Sequence, residues 1–84
     1  MSTLTVADYR KMAGVTQAEM AAQMQVPLRT YEDIEAGRAT FRPLHETAAA
    51  MALIRIAAAR GDGSFLPAGI KETLRLAAAS LPGV

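Results

Sequence analysis

The chain has 84 residues, 51% of them hydrophobic and 20% charged, with a formal net charge of +1. That apolar share excludes a disordered tail, and the near-neutral balance gives no global sign of a nucleic-acid or acidic partner. Cysteine is absent and His45 is the single histidine, which excludes disulfides, thiolate chemistry and Cys/His metal sites.

A chain this short makes one domain, residues 1–84, and of the usual supports for a small core only oligomerisation is left. Aromatic residues make up 5%, so the core is built from Ala, Leu, Ile, Val and Met, a recipe for helix. Met1 to Asp8 lacks the basic-then-apolar pattern of a signal peptide, which points to a cytoplasmic protein.

Thr5 to Asp8 reads as a helix start, with Thr5 capping, Asp8 reaching back and Leu4 stapled against Tyr9. This helix runs to about Ala13 and stops at Gly14. Thr16 to Glu19 is a second capping box, with Val15 and Met20 as its staple. Pro27 disfavours helix at Val26 but suits a new first turn, and the third helix covers roughly Leu28 to Ala36, ending at Gly37. Pro43 opens a fourth helix that reaches about Arg60. Its longest apolar run, Ala48 to Ile54, is far too short for a membrane span. Gly61 to Ser64 is a turn, and a last helix spans about Pro67 to Leu81. The fold expected is all-α with five helices.

Met20, Ala21, Met24, Val26, Tyr31 and Ile34 are the apolar positions of the second and third helices. Two short helices on a tight link cross steeply only if the facing residue is small, and Ala21 meets that need. The polar side of the third helix then stands proud, with the dimensions to enter a DNA major groove.

Gly14 to Ala21, followed by Tyr31 to Gly37, resembles the phage repressor and Cro (XRE-type) helix-turn-helix family over roughly residues 4 to 60. The Thr-Gln-x-Glu start, the small Ala21 and the Ile-Glu-x-Gly end occur together at the family's spacing. The resemblance implies a lambda-repressor-like domain that binds double-stranded DNA. One departure is Gln25, where the family usually has Gly. A left-handed residue there costs about 1 kcal/mol, which points to a turn of different construction.

By the resemblance, Gln17 grips a phosphate with its amide and the helix N-terminus. Leu28, Arg29 and Asp33 face base edges: Leu28 a thymine methyl, Arg29 a guanine, Asp33 a cytosine N4. Thr30 is a backbone contact. Arg38 and Arg42 hold phosphates, or Arg42 reaches the minor groove. The family also pairs an Arg of the first helix with the Glu ending the third, which makes Arg10 and Glu35 a structural ion pair rather than DNA readers.

Simpler roles stand beside these. Tyr31 reads as core, and Asp33 as a solvated charge paired with Arg29 at i, i+4. Arg10, Lys11, Arg29, Arg38 and Arg42 are matched in number by Asp8, Glu19, Glu32, Asp33 and Glu35, so non-specific DNA affinity should be weak. His45 is a surface or capping residue. Gly61-Asp62-Gly63 has no strand before it to make a phosphate loop, and Thr16, Ser64 and Ser80 have no activating partner. No enzyme, no cofactor and no metal are expected.

The C-terminal half calls for a partner. The fourth helix is apolar almost all round, through Ala48, Met51, Ala52, Leu53, Ile54, Ile56, Ala57 and Ala59, and has to be covered on more than one side. The last helix supplies one cover through Ile70, Leu74, Ala77 and Leu81, leaving Leu76 and Phe65 over. A two-fold homodimer with Phe65, Leu66, Ile70, Leu74 and Leu76 at its interface accounts for this, making residues 61–84 a dimerisation segment. The expectation is a dimeric repressor on a palindromic operator, probed against two others: an internal five-helix core, and a protein-interaction module or antitoxin whose C-terminal half binds a toxin or other protein.

Overall fold

The computed structural model describes residues 4–83, so the opening Met1 to Thr3 of the stretch read for a signal peptide lies outside it. Five helices follow in order: α1 Val6–Ala13, α2 Gln17–Met24, α3 Leu28–Glu35, α4 Pro43–Arg60 and α5 Ala68–Ser80. No strand occurs among the described residues, and no described helix is long and apolar enough to cross a membrane.

Both expected capping boxes form. Thr5 accepts from the Asp8 N–H while Asp8 accepts from the Thr5 N–H, and Thr16 and Glu19 repeat the exchange. Each box satisfies two of the backbone donors a helix start leaves free. His45 caps α4, its Nδ1 accepting from the Arg42 N–H at 3.3 Å. The third helix ends one residue short of expectation, with Ala36 as its cap, and α5 begins after Pro67 rather than at it.

The first four helices end in the same reversal. After α1, Gly14 N–H donates to Lys11 and Val15 N–H to Arg10; the same pair of bonds recurs at Gln25 and Val26, at Gly37 and Arg38, and at Gly61 and Asp62. This reversal requires a left-handed residue, normally glycine. Gln25 takes it at φ 61° and ψ 41°, the one non-glycine among the described residues with positive φ. The expectation of a differently built turn is therefore corrected: the turn has the ordinary geometry and bears the strain.

Met20, Ala21, Met24, Tyr31 and Ile34 are buried, with Val26 half-buried beside them. Ala49, Ala52, Leu53, Ile56 and Ala57 supply the α4 side of the core. α2 packs against both α3 and α4, and α1 against α4. Ala21 and Ala52 are 2% and 0% exposed, and alanine at such contacts lets backbones approach closely. Two arginines of α4 complete the framework: Arg55 donates to the Gln23 carbonyl at 3.0 Å and Arg60 to the Gly14 carbonyl at 3.3 Å. Each places a cation at the negative end of a neighbouring helix.

The C-terminal segment differs from expectation in one respect. Phe65 and Leu66 are each 7% exposed, buried in the chain's own core by the link before α5. They are not free to cover a second copy. Ile70 and Leu74 are half-buried against the same core, while Leu76 is 58% and Leu81 56% exposed. Ala77 is exposed, and no residue of α5 is fully buried. On α4, Met51 lies 46% and Leu44 76% exposed. α5 rests on the core by two side chains and is the least embedded helix.

Replacing Gln25 with Gly is expected to stabilise the fold by about 1 kcal/mol, because the left-handed penalty disappears. Thermal unfolding checks it: the midpoint should rise by several degrees, and an unchanged or lower midpoint counts against strain at this residue.

Candidate functional site

A polar knot fixes the inner end of α3. Glu35 accepts from Arg10 Nε at 2.6 Å and from Arg10 Nη2 at 3.1 Å, a bidentate pair whose side chains are 13% and 9% exposed. Gln17 Nε2 adds a bond to Glu35 Oε1 at 2.9 Å, and Arg10 Nη1 donates to the Val15 carbonyl at 2.9 Å. One carboxylate thus joins α1, the start of α2 and the end of α3.

Burial works against the ionised Glu35, but Arg10 first, and then Gln17, outweigh it and hold the carboxyl below its ordinary 4.5. The Arg10 guanidinium is held more firmly protonated, chiefly by its bond to Glu35. Tyr31 lies one turn before Glu35 and is fully buried, with no hydrogen-bond partner at its hydroxyl. Burial, then the neighbouring Glu35, pushes its phenol well above the usual range.

The outer side of α3 is open. Arg29 has 85% of its side chain exposed, Leu28 is 42% exposed, and Thr30, Glu32 and Asp33 are intermediate. Asp33 Oδ1 accepts from Arg38 Nε at 2.9 Å, and Arg29 Nε stands 3.7 Å from the same oxygen. A shallow cleft of about 560 Å³ runs alongside, lined by Gln17, Arg29, Glu32, Glu35, Ala36 and Arg38. Arg29 and Arg38 border this space together with the acids Glu32 and Glu35.

Arg10 and Glu35 pair as expected, and Tyr31 is core as expected. Leu28, Arg29, Thr30 and Asp33 share α3, with Gln17 and Arg38 at the cleft beside it. Arg42 is exposed at the start of α4 and takes no part in that cleft. Gln17 departs from its expected role, because its amide donates to Glu35 and belongs to the knot. Asp33 also differs: Arg29 is near it as the i, i+4 spacing predicts, but Arg38 is the closer partner. The Asp33–Arg38 pair crosses the helix end, where helical spacing no longer says which side chains meet.

The depressed Glu35 value sets an acid limit. The unfolded chain binds this proton first as pH falls, so the contribution of Glu35 is complete above about 4.5 and is lost below it. Glu35→Gln is expected to cost about 2 kcal/mol at neutral pH, by weakening the tie to a largely buried guanidinium. Denaturant unfolding should show the gap to wild type narrowing near pH 3; an equal gap at both pH values refutes this role.

Comparison with known proteins yields no relative: no family model matches the chain, and no curated protein or solved structure matches it.

Proposed function

We propose that this chain is a dimeric, sequence-specific DNA-binding regulator of the helix-turn-helix type, acting as a repressor by occluding a promoter. α3 enters the major groove of an inverted-repeat operator. The observation that carries this reading is the two-sidedness of α3. Its inner side is fixed by Tyr31, Ile34 and the Glu35 knot, while Leu28 and Arg29 stand out in solvent. A rigid helix with an exposed guanidinium suits direct readout, since Arg pairs bidentately with guanine O6 and N7. Leu28 reaches a thymine methyl, and Thr30, Arg38 and Arg42 serve the backbone. Gln17 aids them through the fixed position of α2 more than through its engaged amide.

Dimerisation answers the weak charge balance of a single domain, because two modest half-site grips combine through effective concentration. The apolar surface left on α5, Leu76 with the outer edges of Ile70 and Leu74, is the part of the expected interface still open to a second copy, and the exposed Leu81 just after the helix extends it. A two-fold pair sets its recognition helices about 34–36 Å apart, one turn of DNA. A second reading, a module that binds another protein such as a toxin, is favoured by an apolar groove of about 540 Å³. Leu4, Tyr9, Phe41, Leu53, Ile54 and Ile70 are among the residues that line it.

Selection of duplexes from a random pool by the purified protein tests the reading. Enrichment of an inverted repeat with half-sites one turn apart is expected, and no enriched motif favours the protein-binding alternative. Arg29→Ala should then lose about 1–3 kcal/mol of discrimination at one base step per half-site, with melting unchanged. Undiminished selectivity at every step would mean that Arg29 reads no base. For the dimer, Leu76→Asp is the clean probe, because Leu74 also packs within its own chain. Light scattering should show the variant as a monomer with its thermal midpoint little changed at matched dilution; a persisting dimer moves the interface off α5.

A further inference from the structure

Asp33 holds two arginines on one oxygen. Arg38 Nε donates to Oδ1 at 2.9 Å, and Arg29 Nε is 3.7 Å from the same atom. The main chain is tied at the same residue: the Asp33 carbonyl accepts from the Arg38 N–H at 2.8 Å and the Ala39 N–H at 3.1 Å. Arg38 is thus fastened to Asp33 by backbone and side chain together. The acid lies beneath its partners, with 26% of its side chain exposed against 85% for Arg29 and 62% for Arg38.

We infer that Asp33 restrains the affinity for DNA without reading a base, by competing with the phosphates for Arg29 and Arg38. The inference rests on the DNA-binding reading. Affinity for arbitrary DNA comes almost wholly from cations that replace counterions on phosphates. An arginine that stays on Asp33 replaces none. Exposed ion pairs are weak, so this hold is easily broken where the DNA offers more. A guanine edge offers Arg29 two aligned acceptors, a better bargain than a shared oxygen at 3.7 Å. On arbitrary sequence Arg29 gains no such edge, and Asp33 competes with the phosphates alone. Asp33 therefore lowers the affinity for any duplex, the operator included, because each arginine must leave it before it can neutralise a phosphate.

Glu32 supplies the comparison. It precedes Asp33 on the same helix and lines the cleft with both arginines, but forms no ion pair among the described residues. Neutralising Glu32 removes the same charge without releasing an arginine.

Full-length wild type, Asp33→Asn and Glu32→Gln are titrated against a random-sequence duplex and the duplex enriched by selection, at several salt concentrations. Asp33→Asn is expected to bind the random duplex about ten-fold more tightly at near-physiological salt. Its plot of log affinity against log salt should steepen by about one to two, one step for each freed arginine. The enriched duplex should be bound no more weakly than by wild type, and Glu32→Gln should keep the wild-type slope. Equal steepening in both variants overturns the inference, because charge alone then accounts for it. Loss of enriched-duplex affinity in a folded Asp33→Asn overturns it too, since Asp33 then contacts a base. If Asp33→Asn melts below the assay temperature, Arg38→Ala decides: an unchanged random-duplex slope supports the tether, and one shallower by about one overturns it. Wild type that binds neither duplex ends the DNA reading itself, whereas wild type that binds leaves that reading standing whatever the variants do.

Discussion

The carboxylate of Glu35 holds three helices at one point, and the pose of α3 depends on it. α3 has eight residues, no side-chain cap at its start and two buried side chains, Tyr31 and Ile34. Two apolar anchors fix where a short helix lies but leave it free to roll about its axis. The bidentate Arg10 pair and the Gln17 bond remove that freedom, because each donor arrives from a different helix. Weakening such a pair costs about 2 kcal/mol, and breaking it outright about 3–5 kcal/mol. A domain of this size holds only about 4–12 kcal/mol in all. A change at Arg10 or Glu35 therefore alters what the outer face of α3 presents, although neither residue lies on it.

The rest of the framework is made at helix ends. Reversals at Gly14, Gln25, Gly37 and Gly61 turn the chain sharply enough for short helices to pack on one another within a small volume. Arg55 and Arg60 bind carbonyls at two of these ends and draw α4 onto α2 and the close of α1. Gly14 is required by its φ of 73°, whereas the Arg60 Nη1 that a Cβ there would meet at 3.3 Å is the flexible end of an exposed side chain and can give way. With few aromatic side chains to fill space, the core depends on backbones brought close by alanine and held by their termini.

Local signals in the chain were legible before any fold was known. Thr5 with Asp8 and Thr16 with Glu19 mark helix starts within four residues, and Gly14, Pro43 and Gly61 mark ends or starts by their own conformational limits. The core positions of α2 and α3 follow from helical spacing alone. Pairings across distance were harder. Arg10 with Glu35 was reached through a family resemblance, while Gln17 joining that pair depends on how α2 lies against α3, which no spacing encodes. Phe65 and Leu66 misled because an apolar pair outside a helix looks like surplus until the link carries it inward. Arg38 with Asp33 was hidden since the reversal at Gly37 folds the chain back over its own helix.

α5 has a separate consequence. A helix that buries no residue completely has little of its own to hold it down, and its local opening takes far less free energy than opening α2 or α4. On the dimer reading, a second copy supplies the missing cover, so docking of α5 and association of chains become one linked equilibrium. The completed form then grows faster than in proportion to the number of chains present. Such a protein would behave as a threshold device: scarce copies stay separate with a loosened last helix, and a modest rise in abundance converts them into paired molecules with the last helix docked.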